Sequence, residues 1–276
     1  FDSHLPHAAR RRAGAAMSAP SAPGTLYLVP APLDFGCDSE THLAEVLPAG
    51  TLRQAAQLTH WVCENAKSCR AYLKRIDALF PLAVPLQQQH ITELPRAVHK
   101  KGDHGGKGHA HIDATTLLAA LRAGHDMGLV SEAGMPAVAD PGSSVVRAAH
   151  ALGARVVPLV GPVSLLLTLA ASGLNGQNFA FVGYLPQDAS ERAQRVRALE
   201  ALALKNGQTQ LFIETPYRNA ALWQALLQTL QPSTQLTCAA GLTLAQASIH
   251  TCSASQWRGH AIPVDNRTPA VFAIGG

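Results

Sequence analysis

The stretch that decides the fold is MGLVSEAGMPAVADPGSSVVRAAHALGARVVPLVGPVSLLLTLAASG, residues Met127–Gly173. Its apolar, small and turn-forming residues alternate in a strand–loop–helix pattern, which is typical of a parallel α/β unit. Ligands of such units bind at the carboxyl ends of the strands, and small residues there let the backbone approach a ligand closely. The two loops therefore predict a cofactor site. The predicted elements are a strand at Asp126–Val130, a loop at Ser131–Gly142, a helix at Val145–Leu152, a strand at Arg155–Val160 and a helix at Val163–Ala171.

The composition favours a protein with much buried surface. Apolar residues make up 47% of the 276 residues and charged residues only 14%, below the ~25% of typical soluble domains. This leaves room for a large core and for a dimer interface. No apolar run reaches the ~18 residues that a membrane-spanning helix needs, so we expect a soluble, cytoplasmic protein without a membrane partner. The five cysteines form no CxxC pair, and we expect reduced thiols.

The charge is too small to argue for a nucleic-acid partner. Of the net +4, residues 1–23 supply +2, from Arg10, Arg11 and Arg12 against Asp2, which leaves +2 for the remainder. Bulk charge therefore does not indicate a polyanionic substrate. The same segment is rich in Ala, Ser and Pro without periodicity, and we expect a disordered extension there.

Turn residues at Asn175–Asn178 divide the rest of the chain into two predicted domains. The first, an α/β domain of residues 24–174, begins with the β-rich run TLYLVP at Thr25–Pro30. Ser39 is a plausible N-cap of a helix that we expect to reach Leu47. The second, residues 175–276, is also predicted to be α/β. Its last predicted strands, close enough in sequence to pair antiparallel, are Leu236–Gly241, Ser248–Thr251 and Ala270–Ile274.

Two other kinds of site are not supported. No GxGxxG motif follows the first strand, which argues against a dinucleotide site. The stretch His90–Asp113 contains KKGDHGGKGHAHID, with His104, His109 and His111. Its glycines do not follow a strand, its lysine lacks the Ser/Thr of a phosphate loop, and no Cys or Glu completes a zinc set. We expect a basic surface loop and no metal.

Five motifs together carry a resemblance to a known family. The pair of central loops, which counts as one motif, is accompanied by GTLYLVPAPL at Gly24–Leu33, FVGYLP at Phe181–Pro186, IETPYR at Ile213–Arg218 and RTPAVFAIGG at Arg267–Gly276. In this order and spacing they resemble the tetrapyrrole-methylase superfamily, and most of all its ribosomal RNA small subunit methyltransferase I branch. The chain departs from that branch at Asp34-Phe35, and at Asn65–Lys67, where relatives read Asp-Thr-Arg after the shared glutamate. Relatives also usually carry a further C-terminal helical segment.

The resemblance implies a fold, a cofactor and an assembly. The implied fold is an α/β architecture of two domains, with a mostly parallel N-terminal sheet, a mixed C-terminal sheet and the cofactor cleft between them. The implied cofactor is S-adenosyl-L-methionine, from which the methyl group leaves by in-line displacement, so the protein mainly supplies positioning and desolvation. Relatives work as homodimers. The cofactor-binding residues implied by the motifs are Pro30, Ser131, Ala133, Gly134, Pro136, Val160, Gly161, Pro162, Leu165, Ile213, Thr268, Pro269 and Ala270.

The resemblance also implies an acceptor, a ribose 2′-hydroxyl of 16S rRNA in the small ribosomal subunit. Removing its proton needs a base, for which Glu132, Glu214 and Lys67 are candidates, Glu132 being the first choice. Glu214 has a structural alternative, an ion pair with Arg218. RNA phosphates would be met by Lys67, Arg192, Arg195 and Arg218, although arginines on one helix face are also typical of a solvated surface.

Two alternatives stay open. A tetrapyrrole or other small-molecule methylase would share the cofactor loops. A catalytically degenerate RNA-binding relative would agree with the altered Asn65–Lys67 loop and the lack of the C-terminal segment.

Overall fold

A computed structural model describes residues 22–95 and 114–276 of the chain. Nearly all of the predicted extension, and the glycine- and histidine-rich stretch with His104, His109 and His111, lie outside these described residues. Within the described ranges, no helix is both long and apolar enough to cross a membrane.

The first sheet is parallel throughout, in the order β3-β2-β4-β1-β5. Its central strand β4 reads MGLV and is buried at all four positions, as expected for a strand covered on both faces. The predicted parallel unit is thereby confirmed. The strands are β1 (Thr25–Leu28), β2 (His60–Cys63), β3 (His90–Glu93), β4 (Met127–Val130) and β5 (Arg155–Pro158).

Helices cover both faces of this sheet. One face carries a core with Leu52, Leu73 and Trp61, and the other a core with Val62 and Val145. Trp61 and Val62 are neighbours on β2, so the two cores follow from the alternation of side chains along a strand. The helices are α1 (Leu43–Val46), α2 (Ala49–Gln57), α3 (Ala66–Asp77), α4 (Ala114–Leu117), α5 (Ala119–Arg122) and α6 (Ser143–Ala151), with a 3-10 turn at Leu86–Gln88.

The second sheet is mixed, in the order β6-β7-β10-β8-β9. Strands β6 and β7 run parallel, whereas the remaining pairs are antiparallel, so the predicted antiparallel pairing of the last strands is confirmed. The strands are β6 (Phe179–Tyr184), β7 (Thr209–Ile213), β8 (Gln235–Ala240), β9 (Ser248–Ser253) and β10 (Ala270–Gly275). The helices are α7 (Ser164–Ser172), α8 (Ala189–Asn206), α9 (Asn219–Thr229) and α10 (Ala254–Trp257), with a 3-10 turn at Pro216–Arg218.

Helix α7 connects the two sheets. It follows β5 of the first sheet in the chain, yet its Leu165 and Leu169 pack against Leu211 and Val271 of the second sheet. The opposite face of the second sheet carries the larger core around Trp223. A parallel and a mixed sheet confirm the predicted fold class, while the boundary between residues 174 and 175 stays a prediction.

The structure corrects two local predictions. The helix expected to start at Ser39 begins only at Leu43. The backbone of Thr41 is engaged instead, because its N–H donates to Asp34 at 2.7 Å and its carbonyl accepts from Arg75 at 2.6 Å. The first residues of the expected His90–Asp113 loop form the edge strand β3, because pairing with β2 supplies their backbone hydrogen bonds.

Candidate functional site

Three loops converge at the carboxyl edge of the first sheet. Ala31 and Gly134 exchange two backbone hydrogen bonds of 2.9 and 3.0 Å. Gly134 has φ +69°, and a Cβ added there would lie 3.3 Å from Leu33 Cδ2 and 3.6 Å from the Pro162 carbonyl oxygen. The loops predicted to bind the cofactor, around Pro30, Ser131 and Pro162, therefore meet at Gly134.

Helices α2 and α3 fix these loops from the protein interior. The Tyr72 hydroxyl donates to the Pro30 carbonyl at 2.7 Å, and the Thr51 hydroxyl donates to the Val160 carbonyl at 2.7 Å. A Cβ on Gly161 would come within 2.3 Å of Pro30 Cγ. Only glycine permits this approach, so the first and third loops pack as one unit.

Helix α7 and the second sheet add further predicted cofactor residues. Leu165 is 6% exposed and packs in one cluster with Val271 and the partly buried Ile213. Val271 and Ile213 are register partners. The Thr268 carbonyl accepts from the Asn219 amide at 2.9 Å, which fixes the entry to β10 and hence Pro269 and Ala270. The structure thus brings the third loop together with the second sheet.

Other predicted cofactor residues differ in exposure. Pro136, two residues after Gly134, is buried, and Ala133 is half-buried. Val160 is 69% exposed, so its carbonyl contributes to loop anchoring while its side chain lies at the surface.

A cavity of about 190 Å³ opens beside these loops, at the carboxyl ends of β1, β2 and β4. Glu64 and Glu132 line it, together with Ser131. Ser131 is 5% exposed, and its hydroxyl has no hydrogen-bond partner within the described residues. A buried hydroxyl without a partner is costly, so it fits a site that a ligand completes.

The wall of the cavity contains a buried ion pair that sequence analysis missed. Arg75 donates to both carboxylate oxygens of Asp34, at 3.1 and 2.9 Å, and the Asp34 side chain is 4% exposed. This bidentate geometry is the strong form of a guanidinium–carboxylate contact. The departure from the family pattern at Asp34 therefore serves to hold the first loop on α3.

The altered Asn65–Lys67 segment forms the start of helix α3, with Asn65 as its N-cap. The Asn65 side chain accepts from the N–H groups of Lys67 at 2.8 Å and Ser68 at 3.3 Å, as an N-cap does. The Ser68 hydroxyl lies 3.4 Å from Glu132 Oε1. Glu132 is thus placed at the cavity, whereas the side chain of Lys67 is exposed.

Asp140 interacts electrostatically with Glu64 and Glu132, two of the carboxylates that line the cavity. Burial, followed by the charges of Glu64 and Glu132, raises the pKa of Asp140 to about 7. Two alanines beside it, Ala137 and Ala139, adopt left-handed backbone with φ 64° and 63°, a conformation that stores strain in non-glycine residues. Sequence analysis did not select Asp140, since no pattern distinguishes a half-buried aspartate from an ordinary turn residue.

Glu214 of the second sheet is engaged in an ion pair. Its Oε1 accepts from Arg218 Nε at 3.0 Å and Nη2 at 2.7 Å, and its side chain is 3% exposed. The Thr215 N–H donates to the same oxygen at 2.7 Å. The Arg218 guanidinium also lies 5.2 Å from the Tyr217 ring centroid.

The arginines of α8 differ in their surroundings. Arg192 donates to the Gln187 carbonyl at 3.1 Å, so it contributes to the helix start. Arg195 and Arg197 are exposed, while the buried face of the helix includes Val196 and Leu199. Helix α8 starts just after β6 at the carboxyl edge of the second sheet, the edge that also carries Arg218.

Histidines, cysteines and carboxylates of residues 22–95 and 114–276 form no group of three or more arranged to hold a metal ion. The five cysteines are free thiols.

Two curated relatives share much of the sequence. The chain is similar to ribosomal RNA small subunit methyltransferase I of Escherichia coli O157:H7, with 31% identity over 84% of this chain and 70% of the relative. It is 31% identical to the protein of the same name from Pseudomonas aeruginosa, over 71% of this chain and 58% of the relative. The chain thus spans between 58% and 70% of the length of these two relatives.

A solved structure shares the fold. The methyltransferase CobJ superposes with a TM-score of 0.52 and 17% identity, covering 93% of this chain and 95% of that one. At this identity the likeness concerns the fold alone.

Family membership follows from a match to a sequence family. Residues 49–257 match the sequence family described as Tetrapyrrole (Corrin/Porphyrin) Methylases. This range includes most of both sheets and two of the three loops that meet at Gly134, and it confirms the resemblance drawn from the five motifs. The chain belongs to the tetrapyrrole methylase family and is a methyltransferase of that family.

Proposed function

We propose that the protein uses S-adenosyl-L-methionine to methylate a ribose 2′-hydroxyl of 16S rRNA in the small ribosomal subunit. The observation that carries the proposal is the convergence of three small-residue loops on Gly134 beside an acidic cavity. The names of the two relatives support ribosomal RNA as the substrate class.

The residues at the convergence fit the cofactor. Gly134 leaves space that a Cβ would fill, and the Ser131 hydroxyl is a buried polar group without a partner in the described structure. When bound, S-adenosylmethionine supplies a methyl group activated by the positive charge of its sulfonium. The backbone around Gly134 and Pro162 would hold the cofactor, and Leu165 and Ile213 would exclude water from it.

We assign the general base to Glu132. It lines the cavity, and Ser68 orients it through its hydroxyl at 3.4 Å. A carboxylate in this place can accept the proton of a ribose hydroxyl while the methyl group is transferred. Glu214 is a weaker candidate because Arg218 and Thr215 donate to the same oxygen. Lys67 is a weaker candidate because its side chain is exposed and does not line the cavity.

The RNA proposal predicts a salt-dependent affinity. Purified protein should bind and methylate small-subunit RNA at low salt, with log affinity falling linearly against log salt. Replacing Arg192, Arg195 and Arg197 together by Gln should flatten this slope by about 0.7 per lost contact and leave cofactor affinity unchanged. Filter binding and methyl transfer to 16S rRNA measure both.

Other outcomes of this experiment would favour one of the two alternative functions, a small-molecule methylase or a degenerate RNA-binding relative. Cofactor binding without RNA binding or methylation would contradict the ribosomal proposal and favour a small-molecule methylase. RNA binding without cofactor binding would favour a degenerate RNA-binding relative.

We also propose that the protein is a cytoplasmic homodimer. Apolar side chains are exposed on α7 and the loop before it, with Val160 at 69%, Leu166 at 51% and Leu167 at 39%. Covering them in a twofold dimer that buries more than about 1,200 Å² would form a specific interface. Light scattering at micromolar concentration should give twice the 29.0 kDa chain mass. Leu166→Arg should yield monomers, whereas Leu204→Arg, at a 42% exposed leucine of α8, should not. A wild-type monomer would contradict the proposal.

A further inference from the structure

Two exposed tyrosines lie at the carboxyl edge of the second sheet. Tyr184, the last residue of β6, is 56% exposed, and Tyr217, in the turn after β7, is 66% exposed. Because β6 and β7 are parallel neighbours, their carboxyl ends lie side by side. We call Tyr184 and Tyr217 the tyrosine pair.

Arg218 interacts with both members of the tyrosine pair, by a ring contact with Tyr217 and electrostatically with Tyr184. Its guanidinium lies 5.2 Å from the Tyr217 ring centroid, and its charge also acts on the Tyr184 phenol. The buried Glu214 carboxylate fixes the guanidinium through two hydrogen bonds. A cation held in place beside an aromatic ring is a preorganised surface for a planar partner.

Carboxylates from the loops of the first sheet act electrostatically on Tyr184. Desolvation, followed by the charges of Asp140 and Glu214, raises the pKa of Tyr184, and Glu64 adds to the effect. Tyr184 is therefore within electrostatic range of carboxylates from both sheets. Carboxylates repel phosphates and accept hydrogen bonds from N–H donors. A base of a polynucleotide therefore fits this surface better than its phosphates do, so the phosphate backbone would point away from it.

We propose that the tyrosine pair stacks on bases of single-stranded RNA next to the nucleotide that is methylated. The inference rests on the proposed function and adds the residues that position the strand. Single-stranded RNA is commonly bound by stacking unpaired bases on aromatic or guanidinium planes. The tyrosine pair and Arg218 supply both kinds of plane, at the carboxyl edge of the second sheet.

Alanine and phenylalanine variants test the proposal. Tyr184→Ala and Tyr217→Ala should each weaken binding of a short mixed-sequence RNA by about 5- to 100-fold, while the Phe variants keep near wild-type affinity. Phe179→Ala is the matched control, because Phe179 is a 43% exposed aromatic residue at the opposite end of β6. Fluorescence anisotropy measures the affinities, and cofactor titration checks each variant's fold.

A second probe separates stacking from charge. An abasic ribose-phosphate oligomer of the same length should bind all variants equally, and the salt slope should not change in the Ala variants. Equal losses for RNA and abasic oligomer, or no loss in either Ala variant while wild type binds RNA, would overturn the stacking inference alone. A wild-type protein that does not bind RNA would overturn it together with the proposed function.

Discussion

Valine in place of Gly134 should abolish binding of S-adenosylmethionine or of its demethylated product, with an affinity loss of about 100-fold or more. Gly134 has φ +69°, and an added Cβ would already approach Leu33 and Pro162. A β-branched side chain would therefore occupy the space between the three loops and strain their backbone. Isothermal titration of the purified variant measures the loss against a wild-type affinity in the micromolar range.

Gly153→Val is the matched control for backbone strain. Gly153 also has φ +69°, but an added Cβ there meets nothing within 4 Å. Both variants place valine at the same left-handed φ and carry the same backbone strain. Only Gly134→Val also places side-chain atoms against Leu33 and Pro162. A folded Gly134→Val protein with unchanged affinity would remove this loop from the cofactor site.

Asparagine in place of Asp140 should stabilise the protein at pH 8 by about 2–4 kcal/mol. The pKa of Asp140 is raised from 3.8 to about 7, first by burial and then by Glu64 and Glu132. In the folded protein the neutral acid is thus favoured, and asparagine imitates it at every pH. The expected gain is large because ionisation of Asp140 opposes folding at neutral pH.

The dependence on pH has a definite sign. The folded protein keeps the Asp140 proton up to about pH 7, whereas the unfolded chain loses it near 3.8. The stability that this proton contributes is complete below the unfolded pKa and is lost as pH rises through the folded pKa. The advantage of Asp140→Asn should therefore grow from pH 5 to 7 and then level off. Urea unfolding at several pH values measures it, with the exposed Asp38→Asn as a charge-matched control; a constant advantage would contradict the account.

Local patterns were sufficient to predict much of the fold. The central stretch contains its own strand, loop and helix signals, and both loops lie where the parallel strands end. Strand β3 was missed because four residues, HITE, carry little periodicity, and their pairing with β2 depends on residues 30 positions earlier in the chain. Its identity as a strand is a tertiary property.

The site was predicted unevenly for the same reason. Glycines and prolines indicate loops from local sequence alone, so the loops around Gly134 and Pro162 could be predicted as cofactor-binding loops. The partner of Asp34 lies 41 residues away in Arg75, and the cluster at Asp140 joins the loop after β4 to Glu64 of the loop after β2. Exposure of Tyr184 and Tyr217 likewise depends on what the fold leaves uncovered. The cofactor residues as a set remain a prediction.

The connection through α7 has a mechanical consequence. The loop around Pro162 is attached at one end to β5 of the first sheet, and at the other end to a helix that packs on the second sheet through Leu165 and Leu169. A change in the angle between the sheets would therefore move the two ends of this loop relative to each other, and the loop can follow only by rotating its backbone, since it cannot lengthen. Binding of a molecule to this loop would therefore be coupled to the angle between the two sheets.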